Sequence, residues 1–323
     1  TAEAHPILFQ RIVRRKESKP GTKVIVLDPR RTPTSRIADL HITFVPGNDL
    51  AILNAMANVL VKDGLVDEEF VKTHVAFGEG AAANKGWEEY KTFLSAYSPE
   101  EAAKTAGCKA ADIVTAARWF GEKGRNAMSM WTMGLNQRTK GVWANNLVHN
   151  LHLITGKIGT PGNTPFSITG QPNACGGVRD GGALSHLLPY GRVVGNEKHR
   201  AEMEALWKVP AGRLQVKPGY HPVDMFRALE AGTLKCLYVM CTNPGQSLPN
   251  VSRYLKAMAR PDNFVVVAEA YHPTRTSEIA DVVLPAAGWG EKEGVYGCGE
   301  RRYQLMEQAI PPAGEARPDF AIL

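Results

Sequence analysis

A chain of 323 residues is long enough to form two domains, each with its own hydrophobic core. Its residues are 44% hydrophobic and 22% charged, which is ordinary for a globular protein, and the formal net charge is +6. No apolar run approaches the roughly 20 residues that span a bilayer. The densest basic run, residues 11–19, lacks the aromatic neighbours of a nucleic-acid site. The composition therefore argues against membrane insertion and against nucleic-acid binding.

The cysteines exclude several kinds of site. Five are present, Cys108, Cys175, Cys236, Cys241 and Cys298, and none forms a C-x-x-C pair. We therefore expect no disulfide framework and no zinc or iron–sulfur site built by this chain alone. Cys236 and Cys241 lie in or beside a predicted strand, where we expect inert core thiols.

Both ends of the sequence predict that it comes from within a longer protein. The first residues, TAEAHPILFQ, include no starting Met and no charged region or cleavage site of a signal peptide. The last residues, DFAIL, form no polar tail.

Strands and helices are predicted to alternate along the first half. Short apolar or β-branched runs predict strands over residues 23–28, 39–44 and 127–132. Amphipathic patterns predict helices over residues 50–62, 67–74, 109–122 and 140–153. Asn48 or Asp49 can cap the first of these helices. Such alternation is typical of βαβ units in a parallel sheet.

The second half repeats this alternation after an irregular middle. Residues 165–222 are rich in Gly and Pro, and their length predicts a functional loop region. Helices are then predicted over residues 224–231 and 251–260, and strands over 235–241, 263–268 and 281–284. We therefore predict an α/β fold of two Rossmann-like, doubly wound parallel-sheet domains with helices on both faces. The predicted domains are residues 1–163 and 164–310, and residues 311–323 begin a truncated C-terminal region.

Polar side chains follow the predicted strands, where doubly wound sheets bind their ligands. Asp28 comes after the first strand and can accept a hydrogen bond from a ribose or a guanine edge, while Arg30 and Arg31 can neutralise phosphates. Asn243 and Glu269 follow two strands of the second half. Turn chemistry alone explains Asn243, but the repetition of acidic groups favours nucleotide binding. The segment LDPRRTPTS has no glycine, which argues against the usual NAD-binding turn.

The Gly-rich stretch of residues 169–182, TGQPNACGGVRDGG, is the most specific feature of the chain. Its glycines allow the backbone to approach a bulky ligand closely. Among them stand Gln171, Asn173, Arg179 and Asp180. We interpret the stretch as a loop around a large anionic ligand with one fixed cation. The alternative is a solvent loop with an incidental arginine.

This stretch closely resembles the active-site loop of the periplasmic nitrate reductases, a family within the molybdopterin oxidoreductase superfamily. The resemblance continues along almost the whole chain, in the order of the family. It is carried by AEAHP, LDPRRT, TMGLNQ, NNLVHNLHLITG, KHRAEME, CTNPGQ, ADVVLPAA and EKEGVYGCGERR.

The resemblance implies a molybdenum ion held between two molybdopterin guanine dinucleotides. The residues implied for the first dinucleotide are Ala2, Glu3, Ala4, Asp28, Pro29, Arg30, Arg31, Thr32, Gly47, Asn48 and Asp49. Those implied for the second are Asn243, Ala268, Glu269, Lys292 and Asp319. Met133 and Gln137 are implied to line the metal pocket and the pterin. For Lys292, the alternative is a surface ion pair with Glu291 or Glu293.

The activity implied by the resemblance is the reduction of nitrate to nitrite by oxygen-atom transfer. Arg179 is implied to bind nitrate, whose planar shape a guanidinium matches, and Met133 and Gln171 to shape the pocket. The resemblance also implies a metal-ligating cysteine and a [4Fe–4S] cluster held by residues N-terminal to this chain. A c-type cytochrome donor and a periplasmic location are further implications.

Two other classes of function stay open from the sequence. One is a sister enzyme with the same cofactor, such as a formate dehydrogenase or an assimilatory nitrate reductase, which shares GQPNA. The other is a non-catalytic nucleotide-binding scaffold that kept the fold and lost the metal.

His149 and His152 stand three residues apart on a predicted helix, but no third ligand is apparent. We therefore expect packed, hydrogen-bonded histidines there rather than a metal site.

Overall fold

The computed structural model describes residues 1–77, 85–298 and 300–323. The chain divides into two compact units, Thr1–Gly170 and Gln171–Leu323. The boundary predicted between residues 163 and 164 falls just before this division. Within the described residues, no helix is both long and apolar enough to cross a membrane.

The first unit is mainly helical. Its helices are α1 (Pro6–Ser18), α2 (Asp49–Lys62), α3 (Glu68–His74), α4 (Lys85–Ser95), α5 (Pro99–Ala106), α6 (Ala110–Gly121), α7 (Met133–Asn136) and α8 (Gly141–Ile154). Helix α2 is the central one, because α4, α5, α6 and α8 all pack against it. Ten of its residues between Asp49 and Leu60 are therefore buried. A helix that is apolar on nearly every side belongs in a core.

Two pairs of parallel strands lie in this unit. The strands are β1 (Ile25–Leu27), β2 (Leu40–Ile42), β3 (Met128–Trp131) and β4 (Thr164–Ser167). Ile25 is paired with Leu40 in one sheet, and Met128 with Thr164 in the other. The sequence predicted β1, β2 and β3, but β4 lies in the region read as irregular. Pro165 within β4 obscured the strand, because proline is rare in strands away from an edge.

The second unit contains a three-stranded parallel sheet. The strands of this unit are β5 (Leu187–Leu188), β6 (Arg192–Val193), β7 (Cys236–Met240), β8 (Phe264–Glu269), β9 (Val282–Pro285), β10 (Gly294–Gly297) and β11 (Tyr303–Met306). The three-stranded sheet has the strand order β7–β8–β9, while β5 pairs with β6 and β10 pairs with β11. The helices are α9 (Glu197–Trp207), α10 (Pro222–Ala231), α11 (Pro244–Ser247), α12 (Val251–Met258) and α13 (Asp319–Ile322). The α/β class and the parallel pairing of the predicted strands are confirmed.

Side chains alternate between the two faces of β7. Leu237 and Val239 pack with α10 and α12 in the core, while Tyr238 and Met240 point away from it. Cys236 is on the exposed face, and Cys241 lies just beyond the strand, also exposed. The expectation that these two cysteines are core thiols is therefore wrong, because the strand has one buried face only.

The region predicted to be irregular contains short regular elements. Asn196 caps α9 by accepting a hydrogen bond from the His199 amide at 3.3 Å. The antiparallel strands β5 and β6 pair over two residues each. Residues Cys175–Asp180 wind into a single π-helical turn, closed by the bond from Gly181 N to Gly176 O at 2.7 Å. These elements are too short for a periodic pattern to reveal them.

Candidate active site and cofactor-binding edges

Asp28 lies at the carboxyl end of β1, where the chain makes a tight turn. Its Oδ1 accepts a hydrogen bond from the backbone N of Arg30 at 2.8 Å, and its backbone O bonds the ring of His41 at 3.0 Å. An Asp side chain that bonds the backbone two residues on is a typical turn former. Arg30 and Arg31 are exposed on this turn, and neither forms an ion pair within the described ranges.

The N-terminal segment lies beside this turn. The backbone N of Ala2 donates to Oγ1 of Thr34 at 3.0 Å, and Thr34 belongs to the 3₁₀ turn that follows Thr32. The next two residues, Glu3 and Ala4, are exposed. Two of the three segments predicted for the first dinucleotide, residues 2–4 and 28–32, are thus close together.

The third predicted segment begins helix α2. Gly47 has a φ of +95°, a conformation that favours glycine. The side chain of Asn48 donates back to the Val45 carbonyl at 3.0 Å. Asp49 is buried and forms an ion pair with Arg138. This pair was not foreseen, although Arg138 directly follows the predicted Gln137.

Arg138 has unused hydrogen-bonding capacity. Its Nε is buried and has no hydrogen-bond partner among the residues described. A buried polar atom without a partner in a protein usually signals a missing ligand or water. The Asp49 carboxylate accepts from both Arg138 and the Leu50 amide, so the donor that remains to bind a ligand is the Nε of Arg138.

Met133 starts the short helix α7 and contacts Gly170. A Cβ added to Gly170 would lie 2.8 Å from Cε of Met133, so the glycine makes room for the thioether chain. Gln137 is exposed and ends α7, with its backbone N bonded to the Met133 carbonyl at 2.8 Å.

The two histidines of α8 are structural. His152 is fully buried, and its Nδ1 and Nε2 bond the Lys157 carbonyl at 2.6 Å and the Ser129 hydroxyl at 2.8 Å. His149 bonds the Asn145 carbonyl at 2.8 Å. The prediction of packed, hydrogen-bonded histidines is confirmed. Within the described ranges, no group of three or more His, Cys, Asp and Glu side chains is arranged to hold a metal ion.

In the second unit, the Gly-rich loop docks on strand β10. Oδ1 of Asn173 accepts a hydrogen bond from the backbone N of Gly297 at 2.8 Å. A Cβ on Gly297 would lie 2.9 Å from both Cα and N of Gly176. Both glycines are therefore needed for the two backbones to approach this closely. Gln171, at the start of the loop, is exposed.

Arg179 ends the π-helical turn and is held by its neighbour Asp180. Nε and Nη2 of Arg179 donate to Oδ1 and Oδ2 of Asp180, each at 2.7 Å. The Arg179 side chain is 43% exposed and that of Asp180 only 14%. The guanidinium is thus anchored along one edge, and its Nη1 side faces outward from the pair.

A third residue completes this arrangement. The hydroxyl of Tyr303, in β11, donates to Oδ2 of Asp180 at 2.7 Å. The bonds from Arg179 and then Tyr303 lower the pKa of Asp180 to about 2. The bond to Asp180 in turn raises the pKa of Tyr303. Asp180 is therefore a carboxylate, and Tyr303 a neutral donor, across the physiological pH range.

The carboxyl ends of β7 and β8 form a second polar edge. The backbone N of Cys241 bonds the Ala268 carbonyl at 3.1 Å, and Cys241 has a φ of +56°. Glu269 lies at the end of β8 and accepts from the Ala270 amide at 2.8 Å. Asp319 forms an ion pair with Lys292 and accepts from Sγ of Cys241 at 3.4 Å.

The C-terminal residues reach this edge by extending the sheet. The backbone N of Arg317 bonds the Pro285 carbonyl at 3.1 Å, and the Ala287 amide bonds the Arg317 carbonyl at 2.8 Å. Asp319 is thereby placed beside Lys292. The alternative pairing of Lys292 with Glu291 or Glu293 is wrong, because Asp319, distant in sequence, is its partner.

Burial and charge set the protonation of this cluster. Although Cys241 is exposed as a residue, partial desolvation of its thiol, then the bond to Asp319, raises its pKa to about 11, so the thiol keeps its proton. Partial burial by itself would raise the pKa of Asp319, but the bonds from Lys292 and Cys241 outweigh it and the pKa is lowered. The participation of Cys241 was missed, because a cysteine after a strand carries no motif.

Asn243 takes a different partner from the rest of its predicted group. Its Oδ1 accepts from Oγ1 of Thr276 at 2.6 Å, and the same Thr276 oxygen accepts from the Gly245 amide at 2.9 Å. The structure thus brings Ala268, Lys292 and Asp319 together around Cys241, while Asn243 is bonded to Thr276, which is 33 positions away in the chain.

A family model described as molybdopterin oxidoreductase matches residues 1–323. The chain belongs to this family. It is 54% identical over 318 residues to the periplasmic nitrate reductase of Desulfovibrio desulfuricans and 52% identical over 323 residues to a nitrate reductase of Symbiobacterium thermophilum. The alignments cover 98% and 100% of this chain but 42% of each relative.

A similar fold is found in a solved structure of another protein. Acetylene hydratase from Pelobacter acetylenicus superposes with a TM-score of 0.64 at 23% identity, over 97% of this chain and 43% of that one. This likeness concerns the fold alone.

Membership in the molybdopterin oxidoreductase family implies a molybdenum–pterin cofactor. The residues present fit such a group. Arg30 and Arg31 are exposed cations on a turn at a strand end, and the Arg138 Nε is a buried donor without an acceptor in the described part of the chain. Space is open around the Gly47 Cα, where a side chain would be strained. Cationic donors and open backbone suit a phosphate-bearing ligand.

Proposed function

We propose that the chain forms part of a molybdenum-dependent enzyme that reduces nitrate to nitrite. The observation that carries this proposal is the guanidinium of Arg179, which is anchored by Asp180 along one edge and belongs to a side chain that is 43% exposed. A planar anion such as nitrate matches a guanidinium edge with two parallel hydrogen bonds. The names of the two relatives, each more than half identical to this chain, support the choice of nitrate.

We infer that the cofactor takes the form of two molybdopterin guanine dinucleotides. One would be held by the turn that begins at Asp28, with phosphates near Arg30 and Arg31 and further support from Gly47. The other would be held at the edge formed by Glu269, Lys292 and Asp319, with Asn243 and Ala268 beside it. Strand carboxyl ends are where open α/β sheets bind nucleotides, which supports both assignments.

The protein's role in this reaction is to bind and orient. When bound, the molybdenum–pterin group supplies the two-electron chemistry. Arg179 would neutralise and orient nitrate, with Gln171 of the same loop beside it. Asp180 keeps the guanidinium in one orientation, so that little conformational freedom is lost when the anion binds.

The partners of the whole enzyme belong to the same proposal. A [4Fe–4S] cluster and the metal-ligating cysteine would be supplied by residues other than those of this chain, and a c-type cytochrome would donate electrons. The name of one relative, a periplasmic nitrate reductase, supports a periplasmic location.

The test is nitrite formation by the purified whole enzyme, measured together with its molybdenum content. We expect Arg179→Lys to lower kcat/KM for nitrate by about ten- to a hundredfold, because a lysine cannot make two parallel bonds to a planar anion. The molybdenum content should stay unchanged.

Arg253→Lys is the matched control. Arg253 is paired with Glu230 in the same two-bond geometry, at 2.8 and 2.6 Å, on helix α12. It should leave nitrate kinetics unchanged. Unaltered kinetics in Arg179→Lys would remove the substrate-binding role. An enzyme containing molybdenum that turns over formate but not nitrate would show that the activity is that of a sister enzyme.

A further inference from the structure

The hairpin of β10 and β11 has no assigned role, yet it touches the Gly-rich loop at both of its strands. Gly297 ends β10 and contacts Gly176 and Asn173 of the loop. Tyr303 begins β11, is paired directly with Gly297 across the hairpin, and bonds Asp180. Gly297 and Tyr303, which face each other across the hairpin, therefore contact the start and the end of the π-helical turn.

The two contacts differ in what they fix. The Gly176–Gly297 approach and the Asn173 bond position the backbone at the start of the turn. The Tyr303 hydroxyl acts on a side chain at its end, because it bonds the same Oδ2 of Asp180 that accepts from Nη2 of Arg179. Removing it would leave the backbone in place but free the Asp180 carboxylate to rotate.

The geometry of the guanidinium explains why this rotation matters. Asp180 occupies Nε and Nη2 of Arg179, which make up one edge of the planar group. The remaining N–H donors, on Nη1 and Nη2, form the other edge; they have no partner in the described part of the chain and can make two parallel bonds. The direction of that free edge is set by the plane of the Asp180 carboxylate, and hence by the group that holds this plane.

We propose that Tyr303 is a positioning residue for the proposed anion-binding arginine, acting through Asp180. This positioning role rests on the proposed function, in which the other edge of the Arg179 guanidinium binds nitrate. Tyr303 does not touch the anion; it fixes the carboxylate that aims the guanidinium. Strands β10 and β11 thereby acquire a role as the support of the active-site loop.

The experiment measures nitrate kinetics of the whole holoenzyme with an artificial reductant. Tyr303→Phe keeps the ring and removes the hydroxyl. We expect the KM for nitrate to rise about three- to tenfold, the effect of one lost hydrogen bond, while kcat and the molybdenum content stay unchanged. Tyr296→Phe is the matched control, because Tyr296 lies in β10 of the same hairpin and its hydroxyl makes no hydrogen bond in the described part of the chain. It should leave the KM unchanged.

A double-mutant cycle tests the route through Asp180. Asp180→Ala should also raise the KM, and adding Tyr303→Phe to it should have no further effect, because the hydroxyl then has no carboxylate to hold. A full additional effect in the double variant would overturn the proposal. So would an unchanged KM in Tyr303→Phe, or a loss of molybdenum and thermal stability in place of a KM change.

The outcome separates this inference from the function beneath it. If Arg179→Lys impairs nitrate reduction and Tyr303→Phe does not, only the positioning role fails. If the unaltered holoenzyme reduces no nitrate, the proposed function fails. If nitrate is reduced but Arg179→Lys has no effect, the substrate-binding role of Arg179 fails. The positioning role of Tyr303 fails in both cases.

Discussion

At the scale of single residues, several cationic side chains form ion pairs or hydrogen bonds with groups that no sequence pattern predicts. Arg138 pairs with buried Asp49, and Lys292 pairs with Asp319. Lys157 is buried and donates to three backbone carbonyls, one in the last turn of α6 and two just beyond its end, at 2.7–2.8 Å. For Lys292 the sequence suggested neighbouring glutamates as partners, and for Arg138 and Lys157 it suggested no partner; the tertiary contacts determined all three.

His152 provides a test of stability against pH. Its two ring nitrogens are both occupied, with Nδ1 donating to the Lys157 carbonyl and Nε2 accepting from Ser129, which fixes the neutral form. Burial lowers its pKa below the ordinary value of 6.5. Just below pH 6.5, His152 therefore binds a proton in the unfolded chain but stays neutral in the folded protein.

The stability contributed by neutral His152 is present above pH 6.5 and is lost as the pH falls below it. We expect the free energy of unfolding to drop by up to about 1.4 kcal/mol per pH unit there, before most carboxylates titrate. Urea unfolding at a series of pH values measures this slope. In His152→Gln the slope just below pH 6.5 should be flatter, and an equal slope in both proteins would show that another group is responsible.

At the scale of secondary-structure elements, short contacts between glycines decide how the Gly-rich loop is held. Gly297→Ala would place a methyl group 2.9 Å from the Gly176 backbone, which cannot move aside as a side chain can. We expect a loss of about 1–3 kcal/mol of stability from this overpacking. Thermal unfolding measures it.

Gly294→Ala offers a control on the same strand. The added methyl group would meet only Cε of Met306, at 3.8 Å, which is an ordinary contact. Its melting temperature should match that of the unaltered protein. Equal stability of the two variants would mean that the close approach of Gly176 and Gly297 is not required.

At the scale of the whole molecule, each unit carries a polar edge at the carboxyl ends of parallel strands. This predicts that the protein retains guanine nucleotide along with molybdenum. We expect Lys292→Ala to lower the nucleotide released per protein after acid hydrolysis, because a cation at the edge of the β7–β8–β9 sheet is lost.

Lys235→Ala is the control at the opposite edge of that sheet. Lys235 directly precedes β7 and forms an exposed ion pair with Asp262 at 2.8 Å. Its removal should leave the nucleotide content unchanged. A similar loss in both variants would place the nucleotide elsewhere or point to general destabilisation.

The sequence by itself determined the elements with strong patterns. The apolar runs in β7, β8 and β9 and the nearly all-apolar helix α2 follow from side-chain periodicity and propensity, which are local properties. The motif order also determined the family, since several segments had to agree along the whole chain. The two polar strand ends could be expected because parallel strands bring their carboxyl ends to one edge.

Only the tertiary structure decided which polar groups meet. Asp180 and Tyr303 are 123 positions apart in the chain, and Cys241 and Asp319 are separated by 78. No local rule pairs them, because such contacts depend on how β10, β11 and the C-terminal extension of the sheet are arranged in space. The short elements β4 to β6 likewise exist because of their neighbours, since a few residues are too short to specify a strand without a partner to bond.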